Sequence, residues 1–370
     1  MISILFIKEQ ADLLWHRLRA RMMASPDLSA SPDEEQPCLS QNPHRNRKYH
    51  AFLRQEKKTV KDLIRLGQRL MRRYGLHPHF FGNNRLPDTA RFLAFYGLNG
   101  PHNATDSHDL TTCLSNEEVL QVLPLFERRI AERIPVEYLT QEAEYLGKTF
   151  YVNPHVLVPR SLMHTRFQEF LTHVTWQNKR VLDLCTGSGC IGISLALLNP
   201  EIQVDLADLS EEALKVAAVN IKKHALEGRV NCIQGDLFEN IRERYDLIIT
   251  NPPYVASAHY RCAPLEFKNE PRLALEAGAD GLDLIKRILS EAKMHLNPTG
   301  KVIAEVGFPA AKRLKRKYPH LLLKWYTHRT PQGKTAFLAM DCIFECQAKD
   351  LPPREKSGIF TRWLRRLSAN

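Results

Sequence analysis

What this sequence lacks excludes several common classes of protein. No apolar run approaches the ~20 residues that a membrane-spanning helix needs, so we expect no membrane span. The eight cysteines include no Cys-x-x-Cys pair and no Cys/His spacing suited to zinc. We therefore expect reduced thiols, no metal site and a cytoplasmic location.

Acidic residues are in deficit. The chain has 52 Lys and Arg against 41 Asp and Glu, which gives a net charge of +11 and a pI near 9.3. This balance favours an acidic partner, such as RNA contacted weakly through a basic surface, although a merely solvated surface is the simpler interpretation. Charge alone says nothing about the fold.

The chain does contain a regular alternation of strand and helix patterns between residues 180 and 306. Apolar runs of strand length end in Gly, Asp or Pro, and helical spacing separates them. The alternation predicts an α/β fold with a mostly parallel sheet, in which ligands bind outside the carboxyl ends of the strands. Two closing strands are expected at 321–326 and 335–340.

The rest of the chain divides by composition. Residues 1–55 are rich in Ser-Pro, Pro and Glu, which predicts a flexible extension. Helical spacing over 56–144 predicts a small helical domain, and we expect its exposed faces to recognise a protein partner. Alternating polarity over 145–160 predicts a β-hairpin linker. The α/β domain would cover 161–345, and a basic tail would follow at 346–370.

Two helices of the predicted helical domain have clear boundary signals. One pattern runs from Asp88 to Tyr96 and is expected to end at Gly97. Another opens at Ser115, where Ser-Asn-Glu-Glu is typical of a capping box.

The most specific chemical signal is the end of the strand pattern at 246–250. Asn251-Pro252-Pro253-Tyr254 follows, and its prolines both stop the hydrogen-bond ladder and fix the shape of the loop. The Asn251 oxygen and nearby carbonyls can accept both hydrogens of a planar NH2 group, and the Tyr254 ring can cover its face. We take these four residues as the catalytic set for a conjugated amine; a plain turn is the alternative.

A glycine turn follows the first strand of the α/β region. Gly187 and Gly189 would let backbone amides approach a ligand, and Asp183 could bind a cation or a hydroxyl. We expect a smaller adenosyl ligand here rather than a dinucleotide or a triphosphate. Asp208 ends the next strand about 20 residues on, where an acid takes a ribose diol. Asp205 should instead pair with another element.

A third strand is followed by Gly235-Asp236-Leu237-Phe238. Asp236 could accept from an adenine amine while Leu237 packs on the ring, although a helix-capping aspartate is the alternative. The predicted cofactor-binding residues are Asp183, Cys185, Thr186, Gly187, Ser188, Gly189, Asp208, Asp236, Leu237 and Asn251.

Four residues are predicted to bind the substrate: Arg160, Asn251, Tyr254 and Glu270. Arg160 could reach a substrate carbonyl or carboxylate, and an interdomain salt bridge is the alternative. Glu270 lies within residues 256–273, whose mixed polarity predicts a lid or substrate loop.

Together these motifs resemble the class I S-adenosylmethionine-dependent methyltransferases. Within that class the chain is similar to the protein glutamine methyltransferases of the HemK type over roughly residues 56–342. The similarity rests on Ile134-Pro135-Val136-Glu137-Tyr138-Leu139, Val156-Leu157-Val158-Pro159-Arg160-Ser161, Asp183-Leu184-Cys185-Thr186-Gly187-Ser188-Gly189-Cys190-Ile191 and Asn251-Pro252-Pro253-Tyr254. The first and third segments are closer to the branch that modifies a large-ribosomal-subunit protein than to the release-factor branch.

The resemblance implies a Rossmann-like domain with a seven-stranded, mostly parallel sheet, and a small N-terminal helical domain joined to it by the hairpin. It implies S-adenosylmethionine as methyl donor and a glutamine side chain as acceptor, bound at Asn251–Tyr254. Three features depart from the family pattern: Gly192 replaces a small non-glycine residue, Arg272 stands where an acid is frequent, and residues 1–55 have no counterpart.

Other functions stay open at this point. A nucleic-acid adenine methyltransferase would act on an amine of the same planar geometry, but the sequence has no separate target-recognition region. A release-factor glutamine methyltransferase is the first alternative. A non-enzymatic RNA-binding scaffold would be expected to carry a damaged cofactor loop, and this loop is intact.

Overall fold

The computed structural model describes Tyr49 and residues 51–76, 86–100, 109–167, 179–319, 321–326 and 341–351. Contacts divide the chain into two compact units, Met1–Arg54 with Arg329–Leu338, and Gln55–His328 with Ala339–Asn370. In the first unit, Tyr49 and Phe52 are only 8% and 4% exposed. Because these aromatic side chains are buried, the predicted flexible extension of 1–55 is set too long at its carboxyl end. Most of it lies outside the described residues.

The second unit begins with three helices: α1 (Val60–Arg73), α2 (Leu86–Asn99) and α3 (Asn116–Ala131). Ser115 caps α3 through a reciprocal pair of hydrogen bonds with Glu118, as the sequence predicts, and Thr59 caps α1 in the same way with Asp62. Buried Leu, Ile, Val and Phe side chains at helical spacing hold the helices together.

Gly97 does not end α2, contrary to the prediction, because the helix continues to Asn99. A Cβ atom at Gly97 would lie 2.7 Å from Val122 Cγ2 and 3.2 Å from Val122 Cα. The glycine therefore permits a close approach of α2 to α3 and does not act as a helix breaker.

A short helix, α4 (Val136–Thr140), leads into the hairpin of β1 (Glu142–Tyr145) and β2 (Lys148–Tyr151). Leu146 and Gly147 form its two-residue turn, with φ values of 54° and 67° that match the twist of the strands. The hairpin therefore begins and ends earlier than the predicted span of 145–160.

The main sheet has seven strands, in the order β5-β4-β3-β6-β7-β9-β8. They are β3 (Arg180–Leu184), β4 (Gln203–Asp208), β5 (Val230–Gln234), β6 (Tyr245–Thr250), β7 (Leu296–Gly307), β8 (Lys324–Tyr326) and β9 (Asp341–Gln347). Strands β3 to β7 pair in parallel, and β9 runs antiparallel to both β7 and β8. The expected α/β class and the mostly parallel seven-stranded sheet are confirmed.

The last described strand, β9, occupies 341–347. The strand expected at 335–340 lies outside the described residues. Ala348 and Leu351 beyond it are 6% and 2% exposed. The basic tail therefore does not begin at Cys346, since apolar contacts hold the chain at least to Leu351.

Helices cover the sheet: α5 (Cys190–Leu198), α6 (Glu211–Lys223), α9 (Asp283–Glu291) and α10 (Phe308–Lys317). One apolar cluster joins α5 and α6 to the sheet, and another joins α9 and α10 to it. The predicted lid, 256–273, contains two short helices, α7 (Ser257–Arg261) and α8 (Leu265–Lys268). Within the described ranges, no helix is both long and apolar enough to cross a bilayer.

Candidate active site

The centre of the sheet brings the predicted motifs to one edge. Leu184, the last residue of β3, pairs with Ala207 of β4 on one side and Thr250 of β6 on the other. The Thr250 hydroxyl donates a hydrogen bond of 2.7 Å to the Leu184 carbonyl. The glycine turn, Asp208 and Asn251 therefore lie side by side at the carboxyl ends of three adjacent strands. An open α/β sheet binds its ligands at this edge.

The turn after β3 has an unusual backbone. Cys185, Gly187 and Gly189 all have positive φ, at 60°, 55° and 80°. The Gly187 amide donates a hydrogen bond of 2.9 Å to Asp208 Oδ2, and the Gly189 amide donates one of 3.0 Å to the Thr186 carbonyl. These two amides therefore already donate to groups within the protein. What Gly187 offers is space, because nothing lies within 4 Å of its missing Cβ.

Asp183 holds this turn from beneath. Its side chain is fully buried, and Oδ2 accepts hydrogen bonds from the Thr186 hydroxyl at 2.7 Å and the Gly192 amide at 2.9 Å. Oδ1 has no hydrogen-bond partner among the described residues. Burial raises the pKa of Asp183 to about 7; the charge of Asp208 adds to this, while the two hydrogen bonds oppose it.

Gly192, which departs from the family pattern, fits closely against β4. A Cβ there would lie 2.4 Å from Leu206 Cδ2 and 2.9 Å from Val204 Cγ1. The missing side chain lets α5 pack against the sheet and lets its amide reach Asp183. Gly187, Gly189 and Gly192 also have the Gly-x-Gly-x-x-Gly spacing of dinucleotide sites, so spacing alone does not exclude a dinucleotide.

Asp208 lies at the end of β4, as predicted for a ribose-binding acid. Its two oxygens accept from the Gly187 amide and, at 3.0 Å, the Ser210 amide. Each carboxylate oxygen retains a further lone pair, so the group can still accept from two hydroxyls. Burial raises its pKa, and the hydrogen bonds oppose that shift.

Asp205 behaves differently, and the prediction that it pairs with another element is confirmed. It is 4% exposed, and it binds Arg180 at 2.7 Å and the Tyr245 hydroxyl at 2.9 Å. Alternate residues of a strand face opposite sides of the sheet, which separates this aspartate from Asp208.

Asp236 is engaged by a residue that sequence reasoning missed. Arg287 of α9 binds both of its carboxylate oxygens, at 3.0 and 3.1 Å. The pair lines a cavity of about 380 Å³ together with Phe238, His295 and others. Leu237 is buried, with φ of 54°. No sequence signal identifies Arg287, because it lies 51 residues from Asp236.

The Asn251–Tyr254 loop is clamped from outside the motif. Pro252 and Pro253 are buried, while Asn251 and Tyr254 keep partial exposure. The Val255 amide donates to the Leu275 carbonyl at 2.8 Å, and a Cβ at Gly281 would lie 2.4 Å from the Tyr254 carbonyl. Gly281, with φ of 71°, is thus the residue that permits this close approach.

Arg160 and Glu270 form an ion pair of 2.8 Å, so the two predicted substrate-binding residues contact each other. Glu270 also accepts the Val158 amide at 3.1 Å. Its carboxylate has no exposed surface, and its Oε1 has no hydrogen-bond partner among the described residues, so its predicted role in substrate binding stays a prediction. A buried carboxylate needs a charged partner, which makes Glu270 the residue that positions Arg160.

The Arg160 side chain keeps 21% of its surface exposed. Burial lowers the pKa of its guanidinium, but Glu270 more than offsets this, and the neighbouring Tyr254 and Tyr138 also raise it. Tyr254 of the predicted catalytic set is therefore near enough to Arg160 to affect the pKa of its guanidinium. Tyr138 and Glu137 belong to this cluster too, and burial raises the pKa of both. Across the described chain, no group of His, Cys, Asp and Glu has the arrangement of a metal site.

Comparison with known proteins adds the following. Residues 165–266 match the family described as Methyltransferase small domain. The chain is 38% identical over 276 residues to the ribosomal protein uL3 glutamine methyltransferase of Neisseria meningitidis serogroup B, which covers 73% of this chain and 89% of that protein. It is 41% identical over 261 residues to the Bordetella pertussis protein of the same name, covering 69% and 86% respectively.

Proposed function

The chain belongs to the family of the ribosomal protein uL3 glutamine methyltransferases, and we propose that it methylates the side-chain amide of a glutamine in that large-subunit protein. The methyl donor in this proposal is S-adenosylmethionine. The observation that carries the proposal is the position of Asn251, which leaves β6 beside the glycine turn that follows β3.

The chemistry requires an aligned acceptor. A glutamine amide nitrogen is a poor nucleophile, because its lone pair is delocalised into the carbonyl. The Asn251 oxygen and nearby backbone carbonyls accept its two hydrogens, and the Tyr254 ring covers its face. Alignment and hydrogen bonding would then supply the rate gain, and the proton that the nitrogen loses on methylation would pass to solvent without a side-chain base.

The residues that follow β3 and β4 fit the donor. S-adenosylmethionine, when bound, supplies an electrophilic methyl group on a sulfonium. Asp208 would hold the ribose hydroxyls with its remaining lone pairs, and the open side of Gly187 would admit the ligand. Leu237 would pack on the adenine, with Asp236 near its amine. The unsatisfied Oδ1 of Asp183 supports a polar ligand in this neighbourhood.

Substrate selection would use the partly exposed Arg160 and the helical region 56–144. Arg160 stands beside Tyr254 and is held by Glu270, and the exposed part of its side chain would meet a carbonyl or carboxylate of the protein substrate. The names of the relatives favour a large-subunit ribosomal protein over a release factor. Such a substrate is met in the cytoplasm.

Transfer of a labelled methyl group from S-adenosylmethionine tests the proposal. The full chain is incubated separately with unmodified large-subunit ribosomal proteins, release factor and DNA. We expect the label in the ribosomal protein uL3. Label in release factor would move the enzyme to the other glutamine-modifying branch, and label in DNA would overturn the protein acceptor.

A further inference from the structure

A strongly basic surface is formed by the exposed residues of α10 and the edge strand β8. Residues 308–326 carry six Lys and Arg, at 312, 313, 315, 316, 317 and 324, and no Asp or Glu. We name this surface the α10–β8 face. On α10, Ala310, Ala311 and Leu314 pack against the sheet, while Lys312, Lys315, Arg316 and Lys317 are exposed.

Three of these six cations have no carboxylate partner among the described residues. Lys317 pairs with Asp280 at 3.4 Å, but Lys312, Lys315 and Arg316 have no ion pair within the described part of the chain. Helix α6 shows the ordinary arrangement, in which Lys215 pairs with both Glu211 and Glu212. The α10–β8 face therefore has an excess of positive charge that a polyanion would neutralise.

Aromatic rings hold several of the cations in place. The Lys312 ammonium lies 4.4 Å from the centre of the Phe308 ring, and the Lys315 ammonium 4.3 Å from that of Trp325. On β8, Lys324 lies 4.7 Å from the ring of Tyr326. The Trp325 ring also packs on Phe344, and the Tyr326 ring also carries Arg166, whereas the Phe308 ring is 39% exposed and can stack on a base.

The face begins at the edge of the sheet that carries the reaction. Strand β7 is parallel to β6, and Ala304 pairs with Thr250, the residue before Asn251. Three residues later β7 ends at Gly307, and α10 starts at Phe308, which is 39% exposed. The basic helix therefore extends from the active-site edge for about 15 Å, at 1.5 Å per residue.

We propose that the α10–β8 face binds the phosphate backbone of single-stranded RNA. RNA fits better than other polyanions because the cations of this face lie on the same helix as an exposed ring, Phe308, that can stack on a base. The simpler role for edge-strand lysines is to prevent strand pairing. That role concerns Lys324 but leaves the cations of α10 unexplained.

Two matched triple variants of the full chain test this proposal. Lys312→Gln, Lys315→Gln and Arg316→Gln remove three cations of the face. Lys57→Gln, Lys61→Gln and Arg69→Gln remove the same charge from exposed positions at α1. Binding of a labelled short single-stranded RNA is followed by fluorescence anisotropy over a range of KCl concentrations, and S-adenosylmethionine affinity and melting temperature serve as folding controls.

The α10 variant should lower the slope of log affinity against log salt by about 2, at roughly 0.7 per lost phosphate contact. Between 50 and 200 mM KCl the wild type should then lose roughly 20-fold more affinity than this variant. The α1 variant should keep the wild-type slope. Equal effects of both variants, no RNA binding by the wild type, or α10-dependent binding only to phosphatidylserine vesicles would overturn the proposal. Its outcome is independent of which protein accepts the methyl group.

Discussion

Asn251 is the residue on which the proposed chemistry depends most. Its side chain should orient the acceptor amide and contribute little to holding the adenosine of the donor. Asn251→Ala should therefore keep S-adenosylmethionine affinity within a few-fold of wild type, measured by calorimetry, yet slow methyl transfer by roughly 100-fold or more. Tyr254→Phe keeps the ring and should be milder. Transfer at near wild-type rate by Asn251→Ala would reduce the motif to a structural turn.

Asp208 and Asp205 lie on the same strand and form a matched pair for a second prediction. Asp208→Asn should weaken S-adenosylmethionine binding by a factor on the order of 10, the scale of lost hydrogen bonds to a charged acceptor. Asp205→Asn loosens the contacts with Arg180 and Tyr245 and should lower stability while sparing that affinity. Calorimetry and urea unfolding separate the two effects, and a reversed pattern would show that the ribose acid is misassigned.

Asp183 gives a pH-dependent prediction. Its pKa in the fold is about 7, above the ordinary 3.8, so the folded state binds the proton more tightly. This stabilisation is complete below about pH 4 and is lost as the pH rises through 7. The free energy of unfolding of wild type, relative to Asp183→Asn, should fall by on the order of 2–4 kcal/mol from pH 4 to 8. A difference constant with pH would contradict the buried-acid assignment.

Single residues were predictable from sequence where they end a strand, and not where distant partners decide their role. Asn251 and Asp208 stand at the ends of apolar runs, so the sequence predicts that both lie at the carboxyl edge of the sheet, where ligands bind. Glu270 has no such signal, because its burial depends on Arg160, which is 110 residues away. The need for glycine at 281 likewise depends on the Tyr254 carbonyl, which lies too close for a side chain at that position.

At the scale of elements, the packing of α2 on α3 gives a fourth prediction. Gly97→Ala gains helix propensity but forces a methyl group against Val122. We expect a net loss of roughly 1–2 kcal/mol in the free energy of unfolding, the scale of an overpacked contact. In a Val122→Ala background the same substitution should cost less, because the contact with Cγ2 is removed while the one with the Val122 Cα at 3.2 Å remains. Equal costs in both backgrounds would mean that the contact with Val122 Cγ2 is not the cause.

Element types were predictable, whereas several boundaries were not. Reciprocal capping at Thr59 and Ser115 is a local interaction, so the starts of α1 and α3 can be read directly. The end of α2 was misplaced, because a glycine that serves a close helix contact resembles a glycine that stops a helix. The span of the hairpin was misplaced as well. The register of β9 against β7 and β8 is set by long-range pairing, which no local pattern contains.

At the scale of the whole molecule, the residues proposed to bind the methyl donor and the acceptor lie at one edge of the sheet. The parallel order of β4, β3 and β6 places the glycine turn, Asp208 and Asn251 side by side. Family membership supports glutamine as the acceptor and a ribosomal protein as its carrier. The sequence motifs sufficed for this central arrangement because each one closes a strand of the same sheet.

The most direct test of the central claim is the chemical position of the transferred methyl group. Protein labelled by the full chain and labelled S-adenosylmethionine is hydrolysed in acid, and the products are separated. Methylation of a glutamine side-chain nitrogen predicts that the label leaves as methylamine, because hydrolysis cleaves the amide. Label retained on lysine or arginine, or released as methanol from a methyl ester, would contradict the account.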